Sequence, residues 1–182
     1  LSSLPRDNPA VHDAIQSLTT VHQQVADLIH TVGGVSAPMN GGSNLTDLLH
    51  HLIETEFGDE FNAINWQVDE HLPPVDPIAQ EVIAGAVREA ARNAAVHGRG
   101  GKAERPLNLT VCIAHRDGLT VTVSDDGVGL DGAASRSVSD LPAGSGGGLI
   151  LHSTMLAILG GSLTAETAET NGTRVMVRLP SN

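Results

Sequence analysis

Aromatic residues are scarce in this sequence, which contains two phenylalanines, one tryptophan and no tyrosine among its 182 residues. The hydrophobic core must therefore consist mainly of leucine, valine, isoleucine and alanine. Proteins that bind single-stranded nucleic acid stack bases on aromatic side chains, so the composition argues against that class.

Basic residues are scarce as well. Ten lysines and arginines stand against 21 aspartates and glutamates, which gives a formal net charge of −11. This charge argues against nucleic acid or an anionic membrane surface as the main partner. A small anionic nucleotide stays compatible with it, because such a ligand responds to nearby groups and to a bound metal ion.

Cysteine is nearly absent from the sequence, and long apolar segments are absent from it. The single cysteine, Cys112, allows no internal disulfide and no cysteine-based metal site, which fits a reducing cytosol. No apolar run reaches the length of a membrane span, and no signal peptide is visible. The sequence begins at Leu1 rather than at methionine. We therefore expect a cytoplasmic piece of a longer protein, which would reach a membrane only through upstream segments.

The chain divides into three predicted regions. In residues 1–33, apolar residues spaced by threes and fours predict one long amphipathic helix, suited to a helical-bundle dimer. Residues 34–42 are rich in glycine and predict a flexible linker. Residues 43–182 combine helical and strand patterns, and they predict a single domain.

Residues 43–182 predict an α/β fold. Apolar residues with helical spacing mark three helices, at about 45–53, 77–98 and 149–159. Alternating apolar and polar residues mark five strands, at 61–69, 107–115, 119–126, 162–169 and 173–180. We expect a two-layer sandwich, in which a mainly antiparallel, mixed sheet carries helices on one face. Residues 131–146 lack periodicity and predict a loop.

The predicted helix 77–98 carries the first chemical motif. Glu89, Asn93 and His97 recur every four residues, which places a carboxylate, an amide and an imidazole along one helix face. Beside them runs an apolar stripe that would seat the helix on a core, formed by Ile78, Val82, Ile83, Ala86 and Ala90. Taken alone, a polar solvent face is the commoner explanation of such a pattern.

Two glycine-rich stretches follow. Residues 125–129, Asp-Asp-Gly-Val-Gly, come where a strand ends, so the carboxylate could accept a hydrogen bond from an exocyclic amine beside closely approaching backbone. Residues 144–148, Gly-Ser-Gly-Gly-Gly, open into a helix, whose free N–H groups favour phosphate. The second stretch is neither a Walker loop nor a dinucleotide fingerprint. Each stretch alone is also compatible with an ordinary turn or linker.

The order of these motifs is specific. A helix with Glu-x-x-x-Asn, a strand ending in Asp-x-Gly-x-Gly, a Gly-x-Gly-x-Gly-Leu helix start and a Gly-Thr hairpin resemble the GHKL ATPase superfamily, over about residues 43–180. More narrowly, the series resembles the catalytic ATP-binding domain of a bacterial sensor histidine kinase. The closing segment 160–180 resembles kinases that pair with NarL-type response regulators. The resemblance implies the Bergerat fold and the transfer of the ATP γ-phosphoryl group to a histidine.

The resemblance also implies catalytic and metal-binding residues. Asn93 would bind the Mg²⁺ that bridges the ATP phosphates. Glu89 would be the general base that activates the acceptor histidine, and it is a second candidate metal ligand. Many relatives carry a basic residue where this chain has Val96. Three residues are candidates to replace that phosphate contact: His97, Arg99 and Lys102.

The remaining implied residues contact the nucleotide itself. Asp125 would accept the adenine amine, and Thr173 would assist it. The other ATP-binding residues would be Gly127, Gly129, Gly144, Gly146, Gly148 and Leu149, with His97 as the candidate phosphate contact. Gly147 replaces a larger apolar residue of the family, from which we expect a more mobile lid.

The resemblance places the phosphoacceptor on a helical dimerisation domain built as a two-helix hairpin. Residues 1–33 supply only one helix, so we expect them to be the C-terminal part of that domain, with the acceptor upstream; His12 is the alternative. The expected partners are this domain, a NarL-type response regulator and a second copy of the intact kinase, with no nucleic acid. The other histidines lack metal-ligand spacing and are expected in the surface or the core: His22, His30, His50, His51, His71, His115 and His152.

Two other functions stay open at the level of the sequence. One is a stand-alone GHKL serine kinase of the anti-sigma type, which would give an acid-stable product. The other is a nucleotide-binding pseudokinase, in which Val96 and Gly147 mark lost chemistry. The presence of both Glu89 and Asn93 argues against the pseudokinase.

Overall fold

The computed structural model of the chain describes residues 44–129, 136–137, 147–169 and 171–181. These residues contain three helices and six strands: α1 (Leu45–Phe57), β1 (Ala63–Val68), α2 (Pro77–His97), β2 (Asn108–His115), β3 (Gly118–Asp125), β4 (Arg136–Ser137), α3 (Gly147–Ile158), β5 (Ser162–Thr167) and β6 (Thr173–Pro180). The predicted N-terminal helix, the linker and the alternative acceptor His12 lie outside the described residues. So do Gly144 and Gly146.

The strands form one sheet in the order β1-β2-β3-β6-β5-β4. β1 runs parallel to β2, and the other neighbouring strands are antiparallel. The prediction of a mainly antiparallel, mixed sheet is therefore confirmed. The sixth strand, β4, was missed because two residues are too short to show a period. It lies within the segment predicted as a loop and pairs with β5.

The hydrophobic core lies between the sheet and the helices. Alternation in β2 and β3 buries one face of each strand, and Cys112 is half-buried on the other face. The largest side chains that are almost completely buried are Leu49, Ile53, Ile83, Val87, Leu107, Leu109, Val111, Ile113, Val121 and Leu156. All are aliphatic, as the composition predicts. In the described part of the chain, no helix combines the length and apolarity that a membrane crossing requires.

Helix α2 is the longest element and packs against both α1 and α3. The Asp76 side chain caps its start by accepting the Ile78 N–H at 2.9 Å. The predicted stripe is buried except for Ile78, which is 67% exposed, whereas Ala79 is 6% exposed. That part of the prediction is wrong because the buried face is centred on Ala79, Ile83 and Ala86, and Ile78 falls beyond its edge.

Candidate functional site

Asp125 ends β3 with a side chain that is buried inside the domain, only 6% exposed. Its Oδ1 atom accepts the Gly127 N–H at 2.8 Å, and Thr173 donates to it through both backbone and side chain. Burial raises the pKa of this carboxyl above its ordinary value, helped by the charge of Asp126, while the hydrogen bonds oppose the rise. An ionised carboxylate can accept about four hydrogen bonds, so one further donor can still be accommodated.

Residues 125–129, here termed the Asp125 turn, pack against two other segments through their glycines. A Cβ atom on Gly127 would lie 2.5 Å from the carbonyl oxygen of Gly98, at the end of α2. Gly129 has a φ of +77°, and a Cβ there would overlap the carbonyl oxygen of Asn171 in the β5–β6 hairpin. Both glycines therefore allow close backbone contacts within the protein.

Three further contacts hold the Asp125 turn in place. The backbone N–H and the side-chain amide of Asn108 donate to the two oxygens of Asp126, each at 2.7 Å. The Arg105 guanidinium donates to the carbonyl of Gly127 at 3.2 Å. The Val128 N–H donates to the same Gly98 carbonyl at 2.9 Å. Sequence reasoning missed Arg105 and Asn108, because no local pattern marks a long-range contact.

The polar face of α2 has the order that its spacing predicts. Glu89 is 14% exposed and forms an ion pair with Arg92, with Nη2 2.9 Å from Oε2. Asn93, one turn further on, is half-buried, and His97 in the last turn is exposed. Arg92 was not singled out from the sequence, although it lies three residues from Glu89 and holds that carboxylate in position.

The start of α3 lies directly on Glu89. A Cβ atom on Gly148 would be 2.5 Å from the carboxyl carbon of Glu89 and 2.8 Å from its Oε1. The next residue, Leu149, is 3% exposed and belongs to the core, where it anchors the helix. The predicted site residues on α2 and α3 are thus brought together.

Of the three basic candidates for a phosphate contact, Arg99 and Lys102 follow α2 in the chain. Arg99 donates to the Glu60 carbonyl at 2.7 Å, so its guanidinium is already engaged within the protein. Lys102 is exposed in the loop after α2. Val96 is 65% exposed and leaves His97 as the basic side chain at the end of that helix.

α2 therefore connects the two halves of the site. The Asp125 turn contacts the C-terminal end of α2 at Gly98, and α3 begins on Glu89, nine residues earlier. Residues 79–182, more than half of the chain, match the family of histidine kinase-, DNA gyrase B- and HSP90-like ATPases. The chain belongs to this ATPase family. Its described residues form an ATP-binding domain of that family, and no curated protein sequence matches the chain.

The solved structures that share the fold of this ATPase domain include three histidine kinases. The blue-light activated histidine kinase EL346 of Erythrobacter litoralis is 22% identical, with 75% of this chain and 43% of that one covered at a TM-score of 0.52. The mycobacterial sensor histidine kinase MprB is 20% identical, with 76% and 95% covered at 0.58. The catalytic domain of the histidine kinase ThkA is 16% identical, with 76% and 92% covered at 0.59. The chain spans less than half of EL346, and its fold is that of a histidine kinase catalytic domain.

The donor set of the ATPase domain fits a nucleotide-bound magnesium ion. Among the described residues, no group of three or more His, Cys, Asp or Glu could hold a metal ion. Mg²⁺ bound to a nucleotide keeps several waters and takes one or two protein oxygens besides the phosphates. Glu89 and Asn93 offer a carboxylate and an amide oxygen one turn apart on the same helix.

Proposed function

We propose that this chain is the catalytic part of a sensor histidine kinase, which transfers the γ-phosphoryl group of ATP to a histidine on a helical dimerisation domain. The observation that carries the proposal is the sharing of α2 by both halves of the site. The Asp125 turn packs on Gly98 at one end, and the start of α3 packs on Glu89 nearer the middle. A nucleotide lying along this helix would meet a buried carboxylate at one end and a helix N-terminus at the other.

Each half of the site has a chemistry of its own. Asp125 would accept the adenine amine, with Thr173 holding its carboxylate in place. The N-terminus of α3, with Gly148 at its start, would face the phosphates, because its free N–H groups and its dipole favour anions. Asn93 would bind the Mg²⁺, whose charge offsets that of the phosphates.

Glu89 is the proposed general base. Phosphoryl transfer needs mainly positioning and charge stabilisation, so a single carboxylate can suffice. It would accept a proton from the acceptor imidazole as the nitrogen–phosphorus bond forms and the bond to the leaving ADP oxygen breaks. Its ion pair with Arg92 and its contact with Gly148 hold the carboxylate where this transfer would take place.

The partners follow from the same proposal. Residues 1–33 would complete a dimerisation domain whose acceptor lies upstream, and the intact kinase would be a homodimer. The response regulator that receives the phosphoryl group would be of the NarL type. The domain would work in the cytoplasm, with any membrane attachment supplied by other parts of the protein.

Calorimetric titration of a non-hydrolysable ATP analogue tests the nucleotide site. We expect the 182-residue chain to bind it, Asp125→Asn to lose binding, and Asn93→Ala to lose only the Mg²⁺-dependent part. Asp117→Asn is the matched control for Asp125→Asn, because it neutralises an exposed carboxylate in the turn between β2 and β3. Absence of binding by the parent chain would overturn the proposal.

Phosphorylation with ATP and an added dimerisation domain tests the transfer. A phosphohistidine is labile in acid and stable in base, and we expect this behaviour together with its loss in Glu89→Gln. An acid-stable product on serine would instead indicate the anti-sigma type of kinase. Binding of the analogue without any transfer would indicate a pseudokinase.

A further inference from the structure

His152 of α3 lies against α2 at a position where α2 has no side chain. A Cβ atom on Gly85 would overlap the Cε1 atom of His152 and would lie 3.0 Å from both ring nitrogens. Alanine is the best helix former and glycine among the poorest, so a glycine inside α2 calls for a reason from packing. The imidazole ring supplies that reason.

The contact at Gly85 has a counterpart one helical turn away. Gly148 lies on Glu89, just as His152 lies on Gly85. The two contacts are four residues apart on each of the two helices. The two helices therefore run antiparallel, with two close contacts stacked along their seam. A change in spacing at one contact must alter the other, because both helices are rigid over a single turn.

We propose that His152 is a positioning residue for the nucleotide site: its ring, seated on the bare backbone at Gly85, sets the spacing of α2 and α3 and thereby keeps Gly148 on Glu89. The inference rests on the proposed function, because it assigns the spacing a consequence for nucleotide binding. His152 itself would touch neither the nucleotide nor the transferred group.

The electrostatic surroundings of His152 favour a neutral ring. Its Nδ1 atom is buried and has no hydrogen-bond partner among the described residues. Burial lowers the pKa of the imidazole, and the positive charge of Arg88 lowers it further. Arg88 is held by both carboxylate oxygens of Glu56 on α1, at 3.0 and 2.9 Å. A protonated ring would thus place a proton on the buried Nδ1, near the guanidinium that Glu56 holds.

Two carboxylates of α2 lie one helical turn on either side of the Gly85 contact. Glu81, on the N-terminal side, is half-buried, and Glu89, on the C-terminal side, is paired with Arg92. On β5, the single titratable residue is Glu166, which is paired with Arg174 of β6. Arg88 is the charged group that shifts the pKa of the His152 ring. Acidification below the ordinary histidine range, near 6.5, should protonate the ring and loosen the seam.

A double-mutant test uses the 182-residue chain and the calorimetric titration with the ATP analogue. We expect Gly85→Ala to weaken binding by about tenfold or more, because the methyl group displaces the ring. In the double variant Gly85→Ala with His152→Ala the methyl has room, so binding should recover by several-fold relative to Gly85→Ala. Ser153→Ala, the neighbouring position on α3, is the control and should bind like the parent.

Binding by the parent chain tests the proposed function, and binding by the variants tests the positioning role of His152. If the parent chain does not bind, the proposed function fails. If the parent binds and Gly85→Ala binds equally well, or the double variant is no better than Gly85→Ala, the positioning role is refuted. Should Gly85→Ala fail to fold, the double variant provides the test. A double variant that folds and binds the analogue supports the positioning role, and one that does not fold refutes it.

A pH series adds a readout that packing alone would not move. As the pH falls below 6.5, the ordinary pKa of histidine, the affinity of the parent chain should fall more steeply than that of His152→Gln, which keeps a polar side chain but has no imidazole to protonate. His51→Gln, which removes an exposed histidine on α1, should follow the parent. Equal pH dependence in the parent and His152→Gln would contradict a role for the neutral ring.

Discussion

The two halves of the site are built in different ways. The Asp125 turn is held by hydrogen bonds around a buried carboxylate: Asn108 and Arg105 donate to the turn, and the turn donates to the carbonyl of Gly98. The seam between α2 and α3 instead depends on packing at two glycines, Gly85 and Gly148, beside an ion pair within α2 between Glu89 and Arg92. Hydrogen bonds impose direction, whereas packing imposes only distance. The proposed adenine side is therefore held by directed contacts, whereas the proposed phosphate side depends on the packing distance between two helices.

The largest effect should come from crowding the Asp125 turn. In Gly129→Ala the new methyl group overlaps the Asn171 carbonyl, which belongs to backbone and has little freedom to move. Gly101→Ala is the matched control, because Gly101 has nearly the same φ, +76°, but nothing within 4 Å. We expect Gly129→Ala to lower the free energy of unfolding by about 3 kcal/mol and Gly101→Ala by about 1 kcal/mol.

Urea denaturation of both variants measures this difference. Equal losses would show that backbone conformation alone governs the turn, and that its contact with the hairpin contributes little. The Asp125 turn would then not differ from the helix seam in the way that its contacts predict.

An intermediate effect concerns the charge of Asp125. Its native pKa lies above the ordinary value of 3.8, so the native state binds the proton more readily than the unfolded state does. The contribution of this group to stability therefore falls as the pH rises from 3.8 through the native pKa. Nucleotide binding should change in the opposite direction, because a protonated carboxyl is a poorer acceptor for the adenine amine.

Urea unfolding across pH, compared between the parent chain and Asp125→Asn, tests this sign. We expect the variant to gain stability relative to the parent above the native pKa, by about 1–2 kcal/mol, because it removes a desolvated charge but keeps an acceptor. A difference that does not change with pH would mean that the hydrogen bonds fully offset the burial.

The smallest effect should come from the ion pair on the helix side. Arg92 is 64% exposed, and exposed pairs contribute little to stability. We expect Arg92→Gln to change the free energy of unfolding by no more than about 0.5 kcal/mol. The rate of phosphoryl transfer should fall several-fold, since Glu89 loses the group that orients it. Unfolding and transfer assays on one preparation check both, and a loss of stability larger than that of Gly101→Ala would contradict this ranking.

Sequence patterns predicted the parts of the fold that repeat locally. Alternation in β2 and β3 identified the buried face, and spacing along α2 placed Glu89 beside Asn93. Ile78 was wrongly placed in the core because the centre of a buried helix face depends on what packs there. The predicted roles of the site residues remain predictions.

Contacts between distant segments left no local pattern. Arg105 and Gly127 are 22 residues apart, and nothing near either one indicates the hydrogen bond between them. The seating of His152 on Gly85 joins two helices that are separated in the chain by three strands, β2, β3 and β4. Neither the histidine nor the glycine indicates this contact in the sequence, because the contact forms only when the two helices pack together.

Both halves of the site contact the same helix, α2, so the distance between them is a distance along that helix. Glu89 and Gly98 are nine residues apart, which is about 13.5 Å along an ideal helix. In the proposed binding mode, the regular rise of this helix would set the distance between the base end and the phosphate end of the ligand. A nucleotide with a shorter phosphate chain would fill the base end but stop short of Glu89. The proposed site would then discriminate nucleotides by length through the rise of one helix, without a side chain dedicated to each phosphate.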